Sequence, residues 1–173
     1  MKKLLLIPTT LFIVGCTNNA DIKIDKNIKN TDVGMKILKK YNISPKKLHS
    51  FKNGFIFVEK LTTGSIYLSK LDKNYQKIQS KKIDMVIDPR EVKIYKDKIY
   101  LLAYDQIPQK IVVLEFDENL NLKNKTYFGK KFDSPVDFIV DSNGFKIIAN
   151  HYSKNNGTDI IVYTDNNSFT FST

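Results

Sequence analysis

Two histidines, His49 and His151, and one cysteine, Cys16, are the residues of this 173-residue chain with the most versatile metal and nucleophilic chemistry. No His-x-x-x-His and no cysteine pair stands near them, so a zinc-type site lacks clustered ligands. His49 alternates out of an otherwise apolar stretch, and His151 closes an apolar run beside Tyr152. Both read as strand residues before they read as ligands. A serine nucleophile would need a strained Gly-x-Ser-x-Gly elbow, and none occurs. Glu115 and Asp117 are two residues apart, so one strand face would carry both carboxylates, as acid-base chemistry requires. With no second matching set, solvation explains them better. Asp141-Ser142-Asn143-Gly144 opens like a calcium loop but lacks the alternating ligands and the terminal glutamate; Asp, Asn and Gly are first of all good turn residues. These residue types predict a binding protein rather than an enzyme, with no metal and no cofactor.

The cysteine has a better use. Lys2 and Lys3 precede an apolar stretch over residues 4–14 that ends on Gly15-Cys16, after which Thr17-Asn18-Asn19 is polar. A basic start, an apolar middle and a small residue at the cut make a secretory signal. A spanning helix needs about 20 apolar residues, so this stretch is too short to remain in the membrane. Ile13-Val14-Gly15-Cys16 resembles the lipobox of bacterial lipoproteins, with Ile13 where leucine is usual. The resemblance implies cleavage before Cys16 and acylation of its sulfur. Each buried methylene then contributes about 0.8 kcal/mol to membrane anchoring. It also implies a chain held outside the cytoplasm. Thr17 rather than aspartate after the cysteine favours the outer membrane, facing the periplasm, in an organism that has one. With Cys16 the single thiol, an internal disulfide is impossible.

The expected organisation is a signal peptide over 1–15, a lipidated cysteine and polar tether over 16–42, and a β-repeat domain over 43–173. Removing the leader takes away Lys2 and Lys3, so the formal charge falls from +10 to +8. Such a surface suits lipid phosphates, anionic envelope polymers or an acidic protein. Nucleic acid is disfavoured by export and by the lack of arginines, since Arg90 stands against 27 lysines. Most lysines are scattered among 16 asparagines and 21 isoleucines and read as solvated charge. The densest group, Lys36, Lys39, Lys40, Lys46 and Lys47, lies near the tether, within reach of an anionic bilayer. It is the candidate binding patch.

The apolar pattern repeats. Pro45, Pro89 and Pro135 are spaced by 44 and 46 residues, and nine residues after each comes Gly54, Lys98 or Gly144 with an apolar run. A second apolar run follows (66–68, 111–114, 160–163), then turn residues (Asp72-Lys73-Asn74, Asp117-Glu118-Asn119, Asp165-Asn166-Asn167), then a polar run. The units cover about 43–87, 88–133 and 134–173. Each predicts four strands: a first that alternates, as a half-buried strand does, a second and third apolar on both faces, and a polar edge.

Four graded antiparallel strands per unit resemble a β-propeller blade. The phrasing of Asn143-Gly144-Phe145-Lys146-Ile147-Ile148-Ala149 and of Gly157-Thr158-Asp159 is similar to the repeats of bacterial extracellular and lipoprotein propellers. The fold class expected is therefore all-β, three four-stranded antiparallel blade-like repeats, with a β-meander or sandwich as the alternative. Three blades are fewer than usually close a ring, which leaves an open wedge, a homodimer completing six blades, or a shortened propeller. The expected function is a membrane-anchored scaffold or protein-interaction module. The alternative is an inhibitor or immunity lipoprotein that neutralises an acidic toxin or hydrolase. The loops at 61–65, 105–109 and 153–158 differ between units and are the expected contact loops.

Overall fold

The computed structural model describes residues 47–61, 63–153, 157–165 and 167–171. Cys16, Lys36, Lys39, Lys40 and Lys46, with the leader and the tether, lie outside the described residues. The described chain is all-β. The first sheet contains β1 (Leu48–Phe51), β2 (Gly54–Lys60), β3 (Ile66–Leu71) and β4 (Lys77–Ile83). The middle sheet has β5 (Ile87–Tyr95), β6 (Lys98–Asp105), β7 (Lys110–Phe116) and β8 (Leu122–Phe128). The third has β9 (Ser134–Asp141), β10 (Gly144–Ser153), β11 (Gly157–Thr164) and β12 (Ser168–Phe171). Each sheet is an antiparallel meander in chain order, as the repeat predicts.

Local chemistry explains the repetition. Pro89 and Pro135 both lie in the first strand of their sheet, and each is followed by an unpaired residue, Arg90 or Val136, at a β-bulge. A proline has no N–H for the ladder, so a bulge accommodates it. Each proline faces an alanine across the strand pair, Ala103 or Ala149. The turns after β3 and β7 are superimposable in their bonding. Asp72 Oδ1 accepts the N–H groups of Asn74 and Gln76 at 2.8 and 2.9 Å. Asp117 Oδ1 accepts those of Asn119 and Asn121 at 2.9 and 2.8 Å. The third unit departs from this: Asp165 turns to accept the Phe145 N–H at 3.2 Å, and Thr164 Oγ1 bonds Asn167 instead.

The turn between β5 and β6 places two non-glycine residues in the left-handed region, Lys96 at φ 48° and Asp97 at φ 61°. That is the backbone of a type I′ hairpin, which Asn-Gly suits far better. The double change Lys96→Asn with Asp97→Gly is expected to stabilise the fold by about 1 kcal/mol, since each non-glycine αL residue carries a steric cost of roughly that order. A rise in the thermal midpoint of a few degrees checks it.

Alternation along the central strands builds two cores. Ile99, Leu101 and Ala103 of β6 and Val112, Leu114 and Phe116 of β7 face the first sheet and meet Ile56, Val58, Ile66 and Leu68. Tyr100, Leu102, Ile111 and Val113 face the other way and meet Phe138, Ile147, Ala149, Ile161 and Tyr163 of the third sheet. The middle sheet is covered on both faces, which is why its two central strands are apolar at nearly every position. Each fully buried aliphatic side chain contributes about 1.5–3 kcal/mol. The fourth strands are largely exposed: β4 and β8 apart from half-buried Gln79 and Thr126 and buried Ile83 and Phe128, and β12 throughout, although β12 carries Phe169 and Phe171.

One expectation is corrected. The third unit's apolar runs predict cover on both faces, but Ile148 and Ile160 are exposed, because no described sheet stacks beyond β9 to β12. Phe132 and Tyr152 also stand out in solvent.

Candidate functional site

Antiparallel meanders put short polar turns at one end of the stack and the loops and sheet-to-sheet connections at the other. The β6–β7 loop shows how the loop end is built. Asp105 is buried; its Oδ1 accepts the Ile107 N–H at 3.1 Å, and its Oδ2 accepts the Tyr127 hydroxyl at 2.6 Å. Burial, then the neighbouring Asp105 carboxylate, pushes the Tyr127 hydroxyl up to about 12. This anchor turns the Ile107 side chain outward, 76% exposed.

Backbone hydrogen bonds join the loops into one surface. The Gln106 N–H donates to the Val86 carbonyl at 2.9 Å, and the Phe132 N–H to the Gln109 carbonyl at 3.1 Å. Leu61, Val86, Ile107, Phe132 and Tyr152 all expose large apolar side chains there. A groove of about 450 Å³ runs between the β2–β3 loop and the β4–β5 connection. Buried Ile66 and Ile83 form its floor, and Val86 and Ile107 stand at its rim. The Lys82–Asp84 ion pair at 3.3 Å borders it. Apolar projections around a groove with a paired charge at its edge are the chemistry of a protein-contact surface. Two of the loops expected to make contacts, 61–65 and 105–109, contribute to this surface; residues 62 and 154–156 lie outside the described residues.

Behind the loops lies a buried polar cluster that spacing alone does not reveal. Asp133 has no exposed surface. Its Oδ2 accepts the Tyr163 hydroxyl at 2.5 Å and the Lys130 N–H at 2.6 Å, and its Oδ1 sits 2.6 Å from His151 Nδ1. Burial, followed by the hydrogen bond to Asp133, raises the Tyr163 pKa well above the usual range. A buried carboxylate that orients an imidazole also occurs in acid-base catalysis. Here its remaining acceptor positions tie β11 and the β8–β9 loop together. His151 thus has a structural partner that the sequence, with the two residues 18 positions apart, gives no motif to find.

A second charged group lines the first strands of the three sheets. Lys47, the one member of the predicted basic patch among the described residues, lies just before β1 with Asp88, Arg90 and Lys60 as charged neighbours. Burial lowers its pKa against the opposing pull of Asp88. His49 is held down to about 4 by burial and then by Lys93. Glu91 is buried and raised to about 7, by desolvation first and by a hydrogen bond to Asp137 second. Lys93 Nζ reaches Glu91 Oε1 at 2.5 Å and Asp137 Oδ1 at 3.6 Å. Glu91 Oε2 is buried without a hydrogen-bond donor.

The remaining sequence candidates are engaged separately. Glu115 pairs with Lys98 at 2.7 Å and Asp117 with Lys123 at 3.1 Å, so the two carboxylates do not act together. Asp141 caps its own turn through the Asn143 N–H at 2.7 Å and pairs with Lys146 at 3.2 Å. His49 and His151 sit on different sheets. Among the described residues no three His, Cys, Asp or Glu side chains gather as a metal set. No family model, no curated protein and no solved structure matches this chain.

Proposed function

We propose that this chain is a lipid-anchored envelope protein whose β-repeat domain is a non-catalytic protein-interaction module, with the loop end of the stack as its contact surface. The observation that carries the reading is the joined loop surface: five large apolar side chains exposed on loops and strand ends held in place by buried anchors such as Asp105. Exposed apolar groups on rigid supports lose little conformational entropy on binding, which favours them as contact residues. The lipobox resemblance at Ile13-Val14-Gly15-Cys16 supports the anchor, and the formal charge, +10 with Lys2 and Lys3 and +8 without them, supports an anionic membrane or an acidic partner nearby.

The anchor is tested by labelling cells with a clickable fatty acid: the chain takes the label, and Cys16→Ser loses it. The contact surface is tested in the same cells with a photoreactive residue at position 107 or 132, against a control at exposed Asn74 in the opposite turns. A discrete adduct from 107 and 132, absent at 74 and lost with Val86→Asp, is expected. If the adduct is one acidic toxin or hydrolase at 1:1, the module acts as an inhibitor. Equal labelling from all three positions, or none from the loop end, overturns the contact surface.

A further inference from the structure

The outward face of the third sheet is an apolar sheet face that no other described sheet covers. In the first sheet, Val58 on β2 pairs across the strands with Leu68 on β3, and that face packs on the middle sheet. In the middle sheet, Leu102 pairs with Val113, and that face packs on the third. The register-equivalent pair in the third sheet is Ile148 with Val162. Around it stand Ile160, Phe169 and Phe171, with Ile139 on β9. Phe171 occupies the position that buried Ile83 and Phe128 hold in the other two sheets, yet it is 58% exposed. The third sheet thus repeats a packing face whose counterparts are both covered.

We infer that two copies of this chain pair through this face, third sheet against third sheet, about a two-fold axis. Three observations select this occupant. First, the face continues an interface used twice within the chain, so sheet-on-sheet stacking is its natural mode. Second, head-to-tail docking would need the receiving face of the first sheet, and Phe57, Ser69 and Leu71 there are already buried in the single chain. An isologous contact needs one surface only. Third, residues 134–173 hold four aspartates against Lys146 and Lys154, while the whole chain is +10. The pairing face therefore lies apart from residues 16–87, which carry most of the positive charge by which two copies repel. The exposed apolar side chains supply roughly 500 Å² per copy, or about 1,000 Å² in the pair, the lower bound for a specific interface. Such a dimer stacks its sheets about a two-fold axis and does not close a six-blade ring. It does not depend on the lipid anchor.

Sedimentation equilibrium of the full chain in density-matched detergent tests this. A mass near twice 20.0 kDa at about 100 µM protein is expected, as an interface of this size is weak. Phe169→Lys with Phe171→Lys, on the exposed last strand, is expected to return the mass to that of a monomer with the unfolding midpoint unchanged. A second readout does not depend on those variants. In a Cys16→Ser background, Ile160→Cys is expected to cross-link between copies through a short bis-maleimide, whereas Ile78→Cys, exposed on β4, is not. A monomer at every concentration, a dimer that persists in the double lysine variant, or equal cross-linking from positions 78 and 160 overturns the proposal.

Discussion

Replacing Asp133 with alanine is expected to lower the unfolding free energy by about 4 kcal/mol, because the loss of a buried charged hub leaves its partners desolvated and unsatisfied. Three donors converge on this carboxylate: the Tyr163 hydroxyl, the Lys130 N–H and His151 Nδ1. They come from the β8–β9 loop, β10 and β11, so the loss falls on the third sheet and on its junction with the middle one. Asparagine keeps an acceptor but supplies an NH₂ where a carboxylate oxygen was, and a loss of about 2 kcal/mol is expected. Tyr163→Phe removes one donor with its need for a partner, so it costs about 1 kcal/mol alone and recovers part of the loss when added to Asp133→Ala. Urea unfolding of the four chains reads these differences. Strict additivity of Asp133→Ala and Tyr163→Phe would show that the hydroxyl and the carboxylate do not stabilise each other.

A flat stability profile between pH 4.5 and 6.5, made of two steep opposing slopes, is expected from the first strands. Glu91 is raised from 4.5 to about 7, so the folded chain binds its proton more tightly than the unfolded chain. Its contribution is fully present below pH 4.5 and is lost as the pH climbs through about 7. Displacement of that size corresponds to about 3 kcal/mol. His49 is depressed from 6.5 to about 4, so its contribution is present above pH 6.5 and is lost as the pH falls through about 4. Over the shared window one proton is gained in each direction and the slopes cancel. Single substitutions separate them. Glu91→Gln is expected to leave a chain that weakens steadily on acidification below pH 6.5. His49→Asn leaves one that is more stable at pH 5 than at pH 8 by about 3 kcal/mol. Thermal midpoints across pH 4.5–8, taken relative to the parent chain, give the two slopes with opposite signs. Parallel curves for all three chains would mean that neither group is held away from its ordinary range.

Much of the architecture was legible because its causes are local. A proline that cannot donate marks a bulge, and Asp-x-Asn folds onto its own backbone at Asp72 and Asp117. Period-two alternation chooses the faces of β5 and β9. These are short-range constraints, so prolines spaced by 44 and 46 residues, together with the apolar runs and turn residues that follow each, were enough to count strands and repeats. The candidate site was legible only in part. Variable loops marked the contact end, but nothing local distinguishes Ile107, which projects from its anchor, from Ile111 four residues on, which is fully buried.

Residue type and near neighbours suffice for the four-strand repeat, the turn chemistry, the polar character of β4 and β8, the single thiol and the basic charge. Tertiary structure alone decided which apolar faces are covered. Leu102 with Val113 and Ile148 with Val162 are the same pattern in two repeats, yet the first pair is sealed by a following sheet and the second has no described sheet beyond it. It also gathered Asp133, His151 and Tyr163, and Glu91, Lys93 and Asp137, from separate strands. Burial and long-range pairing are properties of what stacks on a strand, and alternation along that strand cannot encode them.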